Sequence, residues 1–285
     1  MSPLENRMIA RLPLCCSPQA FQLLASQLPT INSPDAMLQC ACAVAMHQNP
    51  KLKPAGVDAA IQQHTDIVRS RVRGDQPQAL LAHLHDYLFE EQNFSGNTGD
   101  YYNPANSYLP SVLQTKLGLP ITLSMVYRMI AERLGFRSWG VGLPGHFMAG
   151  IELDGKPLLV DTFAKGRILT PSEAHDRMKQ IFGAEIEWSD ALLKPASNRH
   201  WLTRMLQNLL NLFAATAQYE NVAAMLELEI LLWPEQPRLQ RDLALVLARI
   251  GLARPASVWL EHYLDGNPDD PQTEDLKQLL EGLGA

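Results

Sequence analysis

Residues 118–161 constrain this chain more than any other stretch, because they read as a proline-started helix followed by three short strands. Pro120 suits the first helical position, where a missing N–H costs nothing. Leu123, Val126, Tyr127, Ile130, Ala131 and Leu134 recur at i, i+3, i+4, i+7, i+8 and i+11, which predicts one buried face. Gly135 supplies the stop, as a C′ glycine does. Strands are expected at about 138–143, 146–152 and 157–163, the last two joined by Asp154-Gly155, a strong two-residue hairpin signal. With that turn, 153 pairs with 156, 148 with 161 and 146 with 163. Strand alternation then sends His146, Met148, Asp161 and Phe163 to one face.

His146 and Asp161 become diagonal cross-strand neighbours, the arrangement in which a carboxylate orients an imidazole and fixes its tautomer. A plain packing role is the competing reading: a capped core histidine after Pro144-Gly145, and a turn-capping aspartate at a strand end. For chemistry, the helix headed by Pro120 has to begin near His146, where its dipole would favour a thiolate or a bound anion. The run Gly140-Val141-Gly142-Leu143-Pro144-Gly145 fits G-x-G-x-x-G by accident. A dinucleotide site needs a helix to begin there, whereas Pro144 interrupts the run and FMAGIEL continues as a strand.

Apolar spacing predicts further helices at 19–28, 35–47, 57–72 and 77–91, with His83 and His85 as solvated residues of the last. A polar loop, NFSGNTGDYYNPANSYLP, covers 93–110; its Asn103-Pro104 and Asn106-Ser107 also fit turn and cap chemistry. A helix at 171–182 opens on Thr170-Pro171-Ser172-Glu173. Residues 198–285 then read as nearly all helical, with an internal repeat. Pro234-Glu235-Gln236-Pro237 returns 34 residues later as Pro268-Asp269-Asp270-Pro271. The same offset carries Leu209 onto Leu243, Phe213 onto Leu247, Leu226 onto Leu260, Glu227 onto Glu261 and Ile230 onto Leu264. That period is the tetratricopeptide signature, and two such units need a neighbour to cover their faces.

A net charge of −6 with no basic run argues against nucleic-acid or anionic-membrane partners. No apolar stretch nears the roughly 20 residues that span a bilayer. Arg7 and Arg11 precede Pro13 without an apolar core between them, so no signal peptide is expected and the compartment is read as cytoplasmic. Cys15-Cys16 and Cys40-Ala41-Cys42 lack zinc-knuckle spacing, and His47 is a weak companion, so the thiols are read as buried and reduced, with no metal.

The runs NPANSYLPSVLQTKLGLPITLSMVYRMIAERLG, GVGLPGHFMAGI and LLVDTFAKGRILT resemble the bacterial SirB-type family, in which a transglutaminase-like domain precedes tetratricopeptide repeats; a related domain occurs in an F-box protein. The resemblance covers about residues 35–280. It implies an α+β, papain-like fold of helices and a small antiparallel sheet, followed by an all-α repeat region. The expected division is 1–92 (N-terminal helices), 93–195 (transglutaminase-like core) and 196–285 (repeats). Carried over residue by residue, His146 and Asp161 match the family's histidine and aspartate, and Pro120 falls at the nucleophile. The resemblance therefore implies a catalytically silent, regulatory domain that binds a peptide or protein through its cleft and repeats, without a cofactor. Asn103, Asn106, Tyr102 and Pro120 are the binding candidates. The alternative is a hydrolase or acyltransferase in which Ser124 or Thr122 acts with His146 and Asp161, Asn106 lending a polar contact.

Overall fold

A computed structural model describes residues 12–74, 76–182 and 189–284, which form two compact units. One comprises Ile31–Cys42 and Leu52–Met205; the other comprises the stretch up to Thr30, Ala43–Lys51 and everything from Leu206 on. Helices come first: α1 (Pro18–Gln27), α2 (Pro34–Met46), α3 (Pro54–Ser70) and α4 (Pro77–His85), which widens into a π turn at Asp86–Glu91. The polar loop holds a short strand, β1 (Ser95–Gly96), and a 3-10 turn at Pro104–Ser107. Then follow α5 (Leu109–Thr115), β2 (Leu117–Gly118) and α6 (Pro120–Arg133).

The main sheet uses β3 (Ser138–Leu143), β4 (His146–Leu153), β5 (Lys156–Asp161), β6 (Arg167–Leu169) and β7 (Pro195–Ala196). Its order is β6-β5-β4-β3-β7, antiparallel throughout. Asp154 (φ 52°) and Gly155 (φ 73°) both take positive φ, as a two-residue hairpin of the I′ class requires. The predicted register holds next to the turn, where Leu153 opposes Lys156 and Ala149 opposes Val160; the ladder between these strands ends there, short of the expected 148–161 and 146–163 pairs. One face of this sheet packs Val141, Leu143, Met148, Leu159 and Leu169 against Ala174 and Met178 of α7 (Pro171–Phe182). The other face packs against α6. There the Trp201 ring lies 4.6 Å from the Phe147 ring, and its indole N–H donates to the Ile121 carbonyl at 3.2 Å.

The spacing of α6 predicts a single buried face, but Pro120–Tyr127 and Met129–Ala131 are all buried. The sheet, α3 and α5 enclose the helix from several sides, so even Thr122 and Ser124 are inaccessible. His85 also departs from its expected solvated state. It is half-buried, its Nε2 lies 2.9 Å from the Tyr127 hydroxyl, and burial pushes its pKa down to about 4.

The other unit is helical. The chain continues from α8 (Asn198–Ala215) into α9 (Tyr219–Leu232), α10 (Pro237–Arg249), α11 (Ala253–Gly266) and α12 (Thr273–Gly284). α9 and α11 begin and end 34 residues apart, and so do the ends of α8 and α10. The backbone repeats at the joints as well, with positive φ at Ala217 (55°) and Gly251 (80°). Of the matched pairs, Leu209 and Leu243, Phe213 and Leu247, and Leu226 and Leu260 are all buried. Glu227 and Glu261 differ: Glu261 is exposed, whereas Glu227 is fully buried and accepts backbone N–H bonds from Leu14, Cys15 and Cys16 at 2.8–3.0 Å. His47 is likewise engaged, between the Ser17 N–H (3.3 Å) and the Asn221 side chain (2.9 Å). No helix among the described residues is long and apolar enough to cross a membrane.

Candidate functional site

His146 opens β4 and Asp161 closes β5, so the hairpin register delivers both to the same end of the sheet. Both are buried, and Nε2 of His146 stands 3.2 Å from Oδ1 of Asp161. The approach is close but poorly aligned, since Nε2 lacks a hydrogen bond of good geometry, and Nδ1 makes none among the described residues. Asp161 Oδ1 also accepts the Ala164 N–H at 3.1 Å, and Arg177 Nε of α7 lies 3.8 Å from Oδ2. Burial raises the Asp161 pKa. The close approach of His146, the Ala164 N–H and the Arg177 guanidinium outweigh it and hold the carboxyl below its ordinary value.

A folded-state pKa below the ordinary 3.8 means that the unfolded chain binds the proton more readily. The stabilisation is fully present above that value and is lost as pH falls through the lowered one. Asp161→Asn should therefore flatten the acid limb of a urea-midpoint profile taken from neutral pH to pH 3, and cost about 3 kcal/mol at neutrality by breaking a buried pair. An unchanged acid limb would show that Asp161 is not held as a carboxylate.

His146 opposes Leu143 across β3 and β4, so it shares the face that looks toward α7. α6 lies on the opposite face. Its first turn reaches the same end of the sheet, because Ser124 Oγ and Thr162 Oγ1 are 3.0 Å apart. The helix therefore begins at the end of the sheet that carries Asp161 and Thr162. Neither hydroxyl of its first turn bonds to His146: Ser124 is taken by Thr162, and Thr122 Oγ1 is buried without a partner among the described residues.

The polar loop 93–110 builds the cover over His146. Phe163 meets the imidazole edge-on, with centroids 6.4 Å apart, and Tyr101 meets Phe163 at 6.1 Å. Gly96 is obligatory below it, because a Cβ there would lie 2.3 Å from the Phe163 ring, and its N–H donates to the Phe163 carbonyl. Asn106 organises the loop. Its amide donates to the carbonyls of Asp100 (2.7 Å) and Tyr101 (3.1 Å), its side-chain oxygen accepts from Asn97, and its own carbonyl holds the Leu119 N–H. Both amide hydrogens are spent, so Asn106 positions the loop and has none left for an oxyanion. Asn103 caps the 3-10 turn through the Ala105 N–H. Tyr102 is 81% exposed beside Tyr101.

Arg204 ties the Pro144-Gly145 turn by donating to the carbonyls of Leu143 (2.8 Å) and His146 (3.0 Å). Sequence reading missed Arg204, Thr162 and Arg177, which no motif marks; only the adjacency of Thr162 to Asp161 hinted at one of them. The four cysteines do not stand in for the absent nucleophile. All are free, and burial pushes Cys15, Cys40 and Cys42 up to about 12, with Cys16 raised likewise.

The transglutaminase-like superfamily pattern matches residues 55–207. A UPF0162 protein of Xylella fastidiosa (strain 9a5c) is 33% identical over 236 residues, covering 81% of this chain and 84% of that protein. A UPF0162 protein of Pseudomonas aeruginosa is 27% identical over 192 residues, 66% of this chain and 68% of its own length. Human F-box only protein 21 is 31% identical over 175 residues, 58% of this chain but 27% of that protein. No solved structure matches.

Proposed function

We propose, starting from the premise that this chain belongs to the transglutaminase-like superfamily and shares its family with the UPF0162 proteins, that it is a catalytically silent member which binds a peptide or protein partner. The observation that carries this reading is the engagement of the substitute hydroxyl. The SirB-type resemblance puts Pro120 at the nucleophile, and the hydroxyl nearest to a substitute role, Ser124, is bonded to Thr162. A retained imidazole–carboxylate pair, its Nδ1 without a hydrogen bond among the described residues and its ring met edge-on by Phe163, is suited to holding a polar group. The 34-residue helical period supports a tetratricopeptide assignment for the second unit, and with it a second docking surface. A regulatory role and a cytoplasmic setting are parts of the same proposal.

The alternative, a Ser/Thr hydrolase or acyltransferase, draws on one observation: the Thr122 hydroxyl is buried without a hydrogen-bond partner among the described residues. A serine-reactive fluorophosphonate separates the two readings. The silent domain should label no more than background. Labelling that disappears in Thr122→Val or Ser124→Ala would overturn it in favour of the enzyme. In parallel, a partner captured from lysate by the native chain should be retained less well by His146→Ala, with the repeat surface unchanged.

A further inference from the structure

The turn that leads out of β5 carries Asp161, Thr162 and Phe163, and its backbone is held in an unfavourable form. Lys165 (φ 54°) and Gly166 (φ 71°) take positive φ in succession, which is strained at a lysine. The Gly166 N–H closes the turn on the Asp161 carbonyl at 2.9 Å. Behind it stands Phe89 of the π turn Asp86–Glu91, so close that a Cβ at Gly166 would collide with the ring. His85, the last residue of α4, completes the support. Its ring meets Phe89 (5.4 Å) and Tyr127 (5.5 Å) edge-on, its Nε2 lies 2.9 Å from the Tyr127 hydroxyl, and it also bonds to the Gly166 backbone.

Only a neutral ring fits this setting. The Gly166 bond favours the protonated ring, as a carbonyl acceptor does, which leaves Nε2 to accept the Tyr127 O–H. A proton on Nε2 would turn donor toward donor, and the Tyr127 hydroxyl, on a residue 1% exposed, has no other partner among the described residues. His85 is faced by Tyr127 from α6, by the Gly166 backbone from the turn and by Phe89 from the π turn, so no carboxylate compensates a charge there. We propose that His85 is a proton-operated catch: neutral, it seats the Asp161–Gly166 turn against α4 and α6; protonated, it leaves the Phe89–Tyr127 pocket for water and lets the turn go. His146 then loses its carboxylate and its aromatic neighbour in one step. Burial holds the His85 pKa down to about 4, so the closed turn is at full strength above the ordinary 6.5 and weakens as pH falls from there. His64, between the Tyr87 hydroxyl (2.7 Å) and Lys116 Nζ (3.3 Å), titrates in the same window and is told apart by mutation.

The test is amide hydrogen exchange of the full chain, read as protection factors so that the intrinsic pH dependence of exchange drops out. Protection of the Gly166 N–H (on Asp161) and the Gly96 N–H (on Phe163) should fall about 20-fold between pH 7 and pH 5, the factor for a group titrating at about 4 when closed and 6.5 when open. His85→Gln keeps a donor and an acceptor but takes no proton, so its protection should stay level. His85→Leu should be poorly protected at both pH values; the glutamine variant carries the test if the leucine variant does not fold. His146→Ala and His64→Gln should both retain the fall. A level profile in the native chain, a fall that persists in His85→Gln or vanishes in His146→Ala or His64→Gln, or full protection in His85→Leu overturns the proposal. None of these readouts involves a partner, so a failed capture and a failed catch are separate results.

Discussion

Trp201→Ala is expected to destabilise the sheet-bearing unit by about 3–5 kcal/mol, the usual range for emptying a fully buried tryptophan site. Trp201 has no exposed surface and sits where three elements meet. Its ring packs on Phe147 of β4 and fills the notch left by Gly140 of β3, where a Cβ would come within 2.4 Å of it; its N–H ends on the first turn of α6. Truncation leaves a void that two strands and a helix cannot jointly close. Trp201→Phe keeps most of the packing and loses the hydrogen bond, so it should cost about 1–2 kcal/mol. The interlock has a further signature in a double-mutant cycle. Gly140→Ala should be costly in the native background, where the methyl strikes both the indole and the Phe147 ring (2.7 Å), and less costly in Trp201→Ala, where only Phe147 still opposes it. Urea denaturation followed by far-ultraviolet circular dichroism measures all four corners. Additive effects would mean that the glycine and the tryptophan are not a fitted pair.

Glu227→Ala should be the second most damaging change, costing the repeat-bearing unit about 2–4 kcal/mol because three backbone N–H groups lose their acceptor at once. Leu14 and Cys15 can recover some hydration, but the Cys16 N–H bond is buried, and this sets the lower bound above the ordinary surface range. Glu227→Gln should do no better, since its amide turns a donor toward donors. Glu261→Ala, 34 residues on and exposed, serves as the control and should stay within about 0.5 kcal/mol of native. The structural readout is hydrogen exchange: protection of the Leu14, Cys15 and Cys16 amides should collapse in Glu227→Ala and persist in Glu261→Ala. Retained protection would assign the anchoring of residues 14–16 to some other contact.

Local chemistry was legible in the sequence wherever it was strong. Asp154-Gly155 demands positive φ twice, so it sets the hairpin register and with it the closeness of His146 and Asp161. The 34-residue offset likewise reappears in helix ends and joint angles. Long-range packing was not legible. The period of α6 marks a stripe, but whether the opposite side is wet depends on which helices enclose it, and here Thr122 and Ser124 are buried with the rest. Strand alternation placed the pair on one face without saying which face α6 would take. That choice rests on Trp201 meeting Ile121, a contact between residues 80 positions apart. His85 shows the same limit, since its partner Tyr127 is 42 residues away.

The protonated state of all four thiols has a practical corollary. Thiolate-directed reagents react with the thiolate and not the thiol, so native Cys15, Cys16, Cys40 and Cys42 compete poorly at neutral pH. One engineered cysteine in place of the solvent-facing Tyr102 can thus carry a fluorophore or spin label with the native four left in place, giving a reporter next to Tyr101, whose ring packs on Phe163.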